Sequence, residues 1–110
     1  MDFNEANLPS LLTYHGLSIN RDERSIQSDL GSFELPPKEF DVLIFCVEHQ
    51  GKILTKQMIY EAVWGEPYVY DDSNIMAIIS RLRKKIEKDP SHPHYIQTIK
   101  GIGYRFNKEV

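Results

Sequence analysis

The chain has one cysteine, Cys46, in 110 residues, so no internal disulfide can brace it. Cys46 lies inside an apolar helical pattern, where core packing in a reducing compartment is the expected role. No apolar run approaches the roughly 20 residues that span a bilayer, and no charged-then-apolar leader opens the sequence. The expectation is a soluble, cytoplasmic protein with no membrane partner. Internal repeats and low-complexity segments are also missing. So are the usual marks of catalysis. His92-x-His94 has no cysteine or carboxylate at metal-ligand spacing, and Pro90 and Pro93 suggest a rigid loop. His15 and His49 read as turn and helix-end residues. No serine stands in a nucleophile elbow, and the carboxylates are scattered and mostly surface-like. No enzyme, no cofactor and no metal site is expected.

Positive charge is scarce over most of the chain and concentrated at one end. Residues 1–34 carry two bases against six acids, and residues 35–72 three bases against seven. Residues 73–110 carry eight bases against Glu87, Asp89 and Glu109. The net charge of −3 therefore hides a C-terminal third at +5, the kind of footprint that attracts a polyanion. A solvated helix face followed by a basic tail would give the same numbers.

Residues 1–9 read as a linker stub or disordered terminus, and residues 10–110 as one domain, long enough to bury a single core. Short extended patterns recur at Leu12–Tyr14, Leu17–Ile19, Ser25–Gln27 and Ser32–Leu35, separated by turn signals. They predict a small antiparallel meander. Pro36-Pro37 ends it, with Pro37 suited to a first helical position. Phe40, Leu43, Ile44 and Val47 then recur at helical spacing, with Gly51 as the expected left-handed stop. Thr55 is the expected N-cap of a second helix that buries Met58, Ile59, Ala62 and Val63 and breaks at Trp64-Gly65. Trp64 itself reads as a core plug. A third helix is expected to start near Asp72, Ser73 or Asn74 and run to about Lys88. The last element is a hairpin, Tyr95–Lys100 and Tyr104–Asn107, joined around Gly101-Ile102-Gly103. Strands, three helices and a hairpin make an α+β plan.

The third helix carries the clearest chemistry. Ile75, Ile79, Leu82 and Ile86 fall within about 40° of one line, a narrow core stripe. Asn74, Ala77, Arg81, Lys84 and Lys85 lie across from it or on its flank, and Ile78 and Arg83 at its edges. A helix that enters a DNA major groove needs this division. Ala77 and Ser80 would let the backbone approach, Arg81 could donate two bonds to a guanine edge, and Lys84 and Lys85 would clamp phosphates. Lys100, before the glycine turn, could be held at the end of a thin ribbon in a minor groove. A lone Gly-x-Gly is otherwise weak; without a third glycine and a strand-then-helix context it is no dinucleotide site.

Several segments together are specific. Lys38-Glu39-Phe40-Asp41-x-Leu43, Gly51–Thr55, Val63-Trp64-Gly65, Arg81-Leu82-Arg83-Lys84-Lys85-Ile86 and Ile96–Phe106 stand in the order and spacing of one family. The chain resembles, over about residues 10–107, the winged-helix output domain of OmpR/PhoB-family bacterial response regulators. The resemblance implies a four-stranded N-terminal sheet, a three-helix core, a C-terminal wing, and sequence-specific binding to double-stranded promoter DNA as head-to-tail dimers on direct repeats. It places recognition-helix contacts at Ser73, Asn74, Ala77, Ile78, Ser80, Arg81 and Arg83, and wing contacts at Thr98, Lys100 and Tyr104. It also matches the loop 65–72, with Glu66, Tyr68, Tyr70 and Asp71, to the family's RNA polymerase-contact loop. Three departures are visible. Pro36 stands where many members have a capping threonine, and Ser73 and Ile78 stand where many have arginine and histidine. The receiver domain that normally precedes the module is not among these residues. The rival expectation is a winged-helix protein–protein module that uses the third helix and the Tyr68/Tyr70 loop without binding DNA.

Overall fold

The computed structural model describes residues 8–69 and 73–110, with the side chain of Ser73 excepted. Most of the expected linker stub, and Tyr70, Asp71 and Asp72, lie outside them. Strands β1 (Leu11–Tyr14), β2 (Leu17–Asn20), β3 (Ser25–Ser28) and β4 (Gly31–Glu34) form an antiparallel meander in chain order. Leu12 pairs with Ile19, and Ile19 with Ile26. The two-residue period therefore puts these three and Leu17 on one buried face. Each such side chain contributes roughly 1.5–3 kcal/mol when removed from water.

Helix α1 (Pro37–Glu48) starts with Pro37 in its first turn and, as the Pro36 departure implies, has no side-chain cap. It buries Phe40, Val42, Leu43, Ile44, Cys46 and Val47. Burial pushes the Cys46 thiol up to about 12, so it stays protonated and unreactive near neutral pH. The expected stop at Gly51 needs correction. The helix ends at Glu48, where the His49 N–H donates to the Cys46 carbonyl at 3.2 Å and the Gln50 N–H to the Val47 carbonyl at 3.1 Å. Gly51 is left-handed, as expected, but its N–H reaches the Phe106 carbonyl at 2.9 Å and so turns the chain onto the C-terminal hairpin.

Helix α2 (Lys56–Trp64) is capped as expected, the Met58 N–H donating to Thr55 Oγ1 at 3.0 Å and Gly65 closing it in the left-handed region. Its predicted buried face is too wide. Only Ile59 is buried; Val63 is half-buried, and Met58 and Ala62 are exposed. A nine-residue helix at the margin of the fold has one line of side chains to give to its neighbours. Trp64 is likewise no plug. It is half-buried, stacks on Tyr60 at 4.9 Å between centroids, and carries the Lys38 ammonium 5.5 Å from its ring centroid.

Helix α3 (Ser73–Ile86) ends two residues before the expected Lys88. Its stripe of Ile75, Ile79, Leu82 and Ile86 is fully sequestered. The hairpin is β6 (Ile96–Ile99) and β7 (Gly103–Phe106). A two-residue strand that the sequence did not announce, β5 (Leu54–Thr55), pairs with β7 on its other side, giving the order β5-β7-β6. α1 packs on α2, α3 and β7, and α3 also meets β3. Several contacts tie the N-terminal sheet to the rest, among them three to α3 and the hairpin. Ser28 Oγ donates to the Lys85 carbonyl at 2.6 Å, the Tyr14 ring meets Phe106 edge-on at 5.2 Å, and the Tyr95 hydroxyl donates to the His15 carbonyl. The helix and the hairpin are thereby fixed against one frame.

Candidate nucleic-acid interface

The stripe that buries α3 decides what the helix presents outward. Asn74, Ala77, Ser80, Arg81 and Lys84 are exposed, a row of small and basic residues. Arg83, Lys84 and Lys85 fall in the last turn, where cations are stabilised by the helix dipole. Ser73 opens the helix, and its side chain is not described.

Two expected contacts on this helix are corrected. Ile78, at the edge of the stripe, is 4% exposed and packs in the core rather than on the outward face. Lys85 was expected to clamp a phosphate, but its ammonium lies 2.8 Å from Glu39 Oε1. Glu39 itself comes from α1 and is 3% exposed. The other carboxylate oxygen accepts from Arg81 Nε at 3.0 Å. Arg81 nevertheless remains half exposed, and no other partner for its guanidinium occurs among the described residues. Its terminal nitrogens form the only part of the fork left for an external acceptor.

Arg83 is directed sideways. Its Nε and Nη2 donate to the Ile96 carbonyl at 3.1 and 2.7 Å, and Nη2 also to Thr98 Oγ1 at 2.7 Å. The guanidinium lies 5.7 Å from the Tyr104 ring centroid. Burial lowers its pKa, while Tyr104 and Glu87 oppose that shift. Arg83 thus fastens α3 to the hairpin, and Thr98 is taken up by the same tie. Tyr104 is 7% exposed beneath it, which corrects its expected role as an open wing contact. Lys100 is exposed at the hairpin turn, where the Ile102 N–H closes onto the Ile99 carbonyl at 2.9 Å and Gly101 is left-handed. Lys84 and Lys100 make no ion pair among the described residues.

Between helix and hairpin runs a groove of about 390 Å³ lined by Met76, Ser80, Arg83, Lys84, Thr98 and Tyr104. Lys84 at its edge is a lining cation without an ion pair among the described residues. A groove with Lys84 and Ser80 on its rim, beside a protruding ribbon, can accept a sugar–phosphate strand.

One residue essential to this geometry was missed in the sequence. Glu87 is 1% exposed, and its carboxylate accepts from three successive backbone donors, His94, Tyr95 and Ile96, at 2.6–3.1 Å. It fixes the start of β6 against the end of α3. No spacing rule marks it, because its partners are main-chain N–H groups.

The loop after α2 lies apart from these cations. Glu66 accepts from the Tyr60 hydroxyl at 3.2 Å, the Tyr68 N–H donates to Glu61 at 3.2 Å, and the Tyr68 ring meets Tyr60 edge-on. Tyr70 and Asp71 are outside the described residues. Elsewhere, His92 Nδ1 lies 2.9 Å from the Asp89 carboxylate, whose pKa is lowered by hydrogen bonds from His92 and Ser91. Among the described residues no group of side chains could hold a metal ion, and no helix is long and apolar enough to cross a membrane.

A family model described as transcriptional regulatory protein, C terminal, matches residues 31–106. The chain belongs to this family. Its fold is the winged helix of OmpR/PhoB-type regulators, α3 standing in the recognition position and β6–β7 forming the wing. Solved structures agree. The chain is similar to the Thermotoga maritima response regulator DrrB, an OmpR/PhoB homologue, with a TM-score of 0.82 and 34% identity over 96% of this chain and 48% of that one. It therefore spans about half the length of DrrB. It is also similar to the DNA-binding domain of Klebsiella pneumoniae RstA, solved in complex with the RstA box, with a TM-score of 0.79 and 26% identity over 91% of this chain and 99% of that one. The DNA-binding domain of Escherichia coli CpxR matches with a TM-score of 0.75 and 25% identity over 94% and 100%.

Proposed function

We propose that this winged helix is the sequence-specific, double-stranded DNA-binding output module of a two-component response regulator, not an enzyme. Helix α3 enters the major groove and the β6–β7 wing the neighbouring minor groove. The observation that carries this is the outward row on α3. Its small residues permit close approach, and Arg81, held at Nε from behind, presents its two terminal nitrogens at the spacing of a guanine edge. Lys84 supplies a phosphate contact, and Lys100 takes the minor groove.

Residues 10–110 are assigned to this module. Promoter direct repeats, head-to-tail pairing on them, an RNA polymerase contact through Glu66, Tyr68, Tyr70 and Asp71, and a cytoplasmic location complete the reading. They follow from the resemblance to OmpR/PhoB-type regulators.

Arg81→Ala tests it. On a duplex selected from a random pool by the unaltered protein, the substitution is expected to weaken binding by about 1–3 kcal/mol and to relax discrimination at one base pair. Lys84→Ala should weaken all sequences about equally and reduce the salt slope by about one. Fluorescence anisotropy on single-base variants of the site measures both. An Arg81→Ala protein that binds and discriminates like the unaltered one would remove the base-reading assignment.

A further inference from the structure

Glu39 faces inward from α1, where no DNA-facing role would place it, yet it holds two cations of the recognition helix. Its carboxylate is 3% exposed, with Arg81 Nε at 3.0 Å and Lys85 Nζ at 2.8 Å on separate oxygens. Arg81 and Lys85 are one helical turn apart, so a single carboxylate reaches both. The two side chains differ in what remains. Arg81 is 54% exposed, with no partner for its terminal nitrogens among the described residues, whereas Lys85 is 25% exposed with its ammonium engaged.

From this we infer that Glu39 is a positioning residue that sets the balance between sequence discrimination and non-specific attraction; the inference rests on the DNA-binding reading. Holding Nε fixes the plane of the Arg81 fork before DNA arrives, so the base contact forms without ordering a long side chain. Holding Nζ withholds the Lys85 charge from phosphate, which every sequence offers alike. One buried carboxylate thus strengthens the contact that discriminates and weakens one that does not.

The sign of the effect distinguishes this from a structural role. Glu39→Gln keeps the shape of the side chain but removes its charge. It is expected to tighten binding to random duplex DNA severalfold and to steepen the slope of log affinity against log salt by about 0.9, the value of one added phosphate contact. Affinity for the selected site relative to random DNA should fall about tenfold, because a neutral amide holds the Arg81 fork less firmly than a carboxylate does. Adding Lys85→Gln should return the salt slope to its original value and leave the loss of discrimination in place. Glu39→Asp, which keeps the charge on a shorter stem, should restore part of the discrimination. Circular dichroism melting identifies any variant that has lost its fold, and Lys85→Gln alone, which keeps Glu39 and Arg81 in place, should leave discrimination near its original value.

The measurement is anisotropy of the unaltered and variant proteins on selected and random duplexes across a salt series. If Glu39→Gln weakens both duplexes by one common factor, or changes neither, Glu39 has no positioning role. If the unaltered protein binds neither duplex at low salt, the DNA-binding reading itself is overturned, and this inference with it.

Discussion

Glu87→Ala is expected to destabilise the fold by about 3–5 kcal/mol and to lower Tm by on the order of 15–25 °C. The size follows from what the substitution leaves behind. The His94, Tyr95 and Ile96 N–H groups all point at the Glu87 carboxylate, and the bonds to Tyr95 and Ile96 are buried. Each stranded buried donor costs roughly 1–3 kcal/mol, against a total stability of about 5–15 kcal/mol for a domain. Arg83 also loses the nearby negative charge that supports its protonated form. Glu87→Gln should lie between, at about 1–3 kcal/mol, since one amide oxygen can still accept while the NH₂ group faces donors. Thermal unfolding followed by circular dichroism checks both. A loss below about 1 kcal/mol for the alanine variant would mean that the β6 backbone finds other acceptors, contrary to the pinning role given to Glu87.

Gly103→Ala is the second large effect, expected at about 3 kcal/mol. The reason is close approach of the backbone. Gly103 sits in β7 between Thr55 of β5 and Ile99 of β6, and an added Cβ would lie 2.0 Å from the Leu54 carbonyl oxygen. Relief requires β5 to move, and β5 carries both buried Leu54 and the Thr55 cap of α2. Gly101 provides the contrast. It is left-handed, with φ +77 and open space around it, so alanine there costs only the backbone strain of about 1–2 kcal/mol. Urea unfolding of the two variants should place Gly103→Ala well below Gly101→Ala. The reverse order would show that β5 yields easily.

These two residues also show where sequence reading stops. The meander, α1 and the stripe of α3 were legible because side-chain period reports burial directly, and Thr55 because capping is a local rule. In the sequence Gly103 reads as part of the hairpin turn, but only Gly101 there takes positive φ, and Gly103 is a strand residue. Its constraint comes from β5, a strand of two residues that has no period to detect. Met58 and Ala62 were assigned to a buried face because helical spacing states which residues share a side, not how much of that side a neighbour covers. Most carboxylates read as surface groups, and Glu39 is an exception that stands one turn before Leu43 on the apolar side of α1. Arg81 and Lys85 form the matching pair on α3. That signal was present, whereas Glu87 left none. For the interface, charge segregation located the helix and wing, but only packing separated the exposed Arg81, Lys84 and Lys100 from Ile78, Arg83, Lys85 and Tyr104.

The central claim is that the outward face of α3 and the wing bind duplex DNA and read its sequence. The most direct measurement is the affinity of the unaltered protein for random and selected duplexes between low and high salt. Binding to random DNA should fall linearly in log–log form with a slope of at least about −2, the share of Lys84 and Lys100 alone, while the selected site stays tighter at every salt concentration. No binding at low salt, or an affinity indifferent to salt, would contradict the account and favour a surface built for a protein partner.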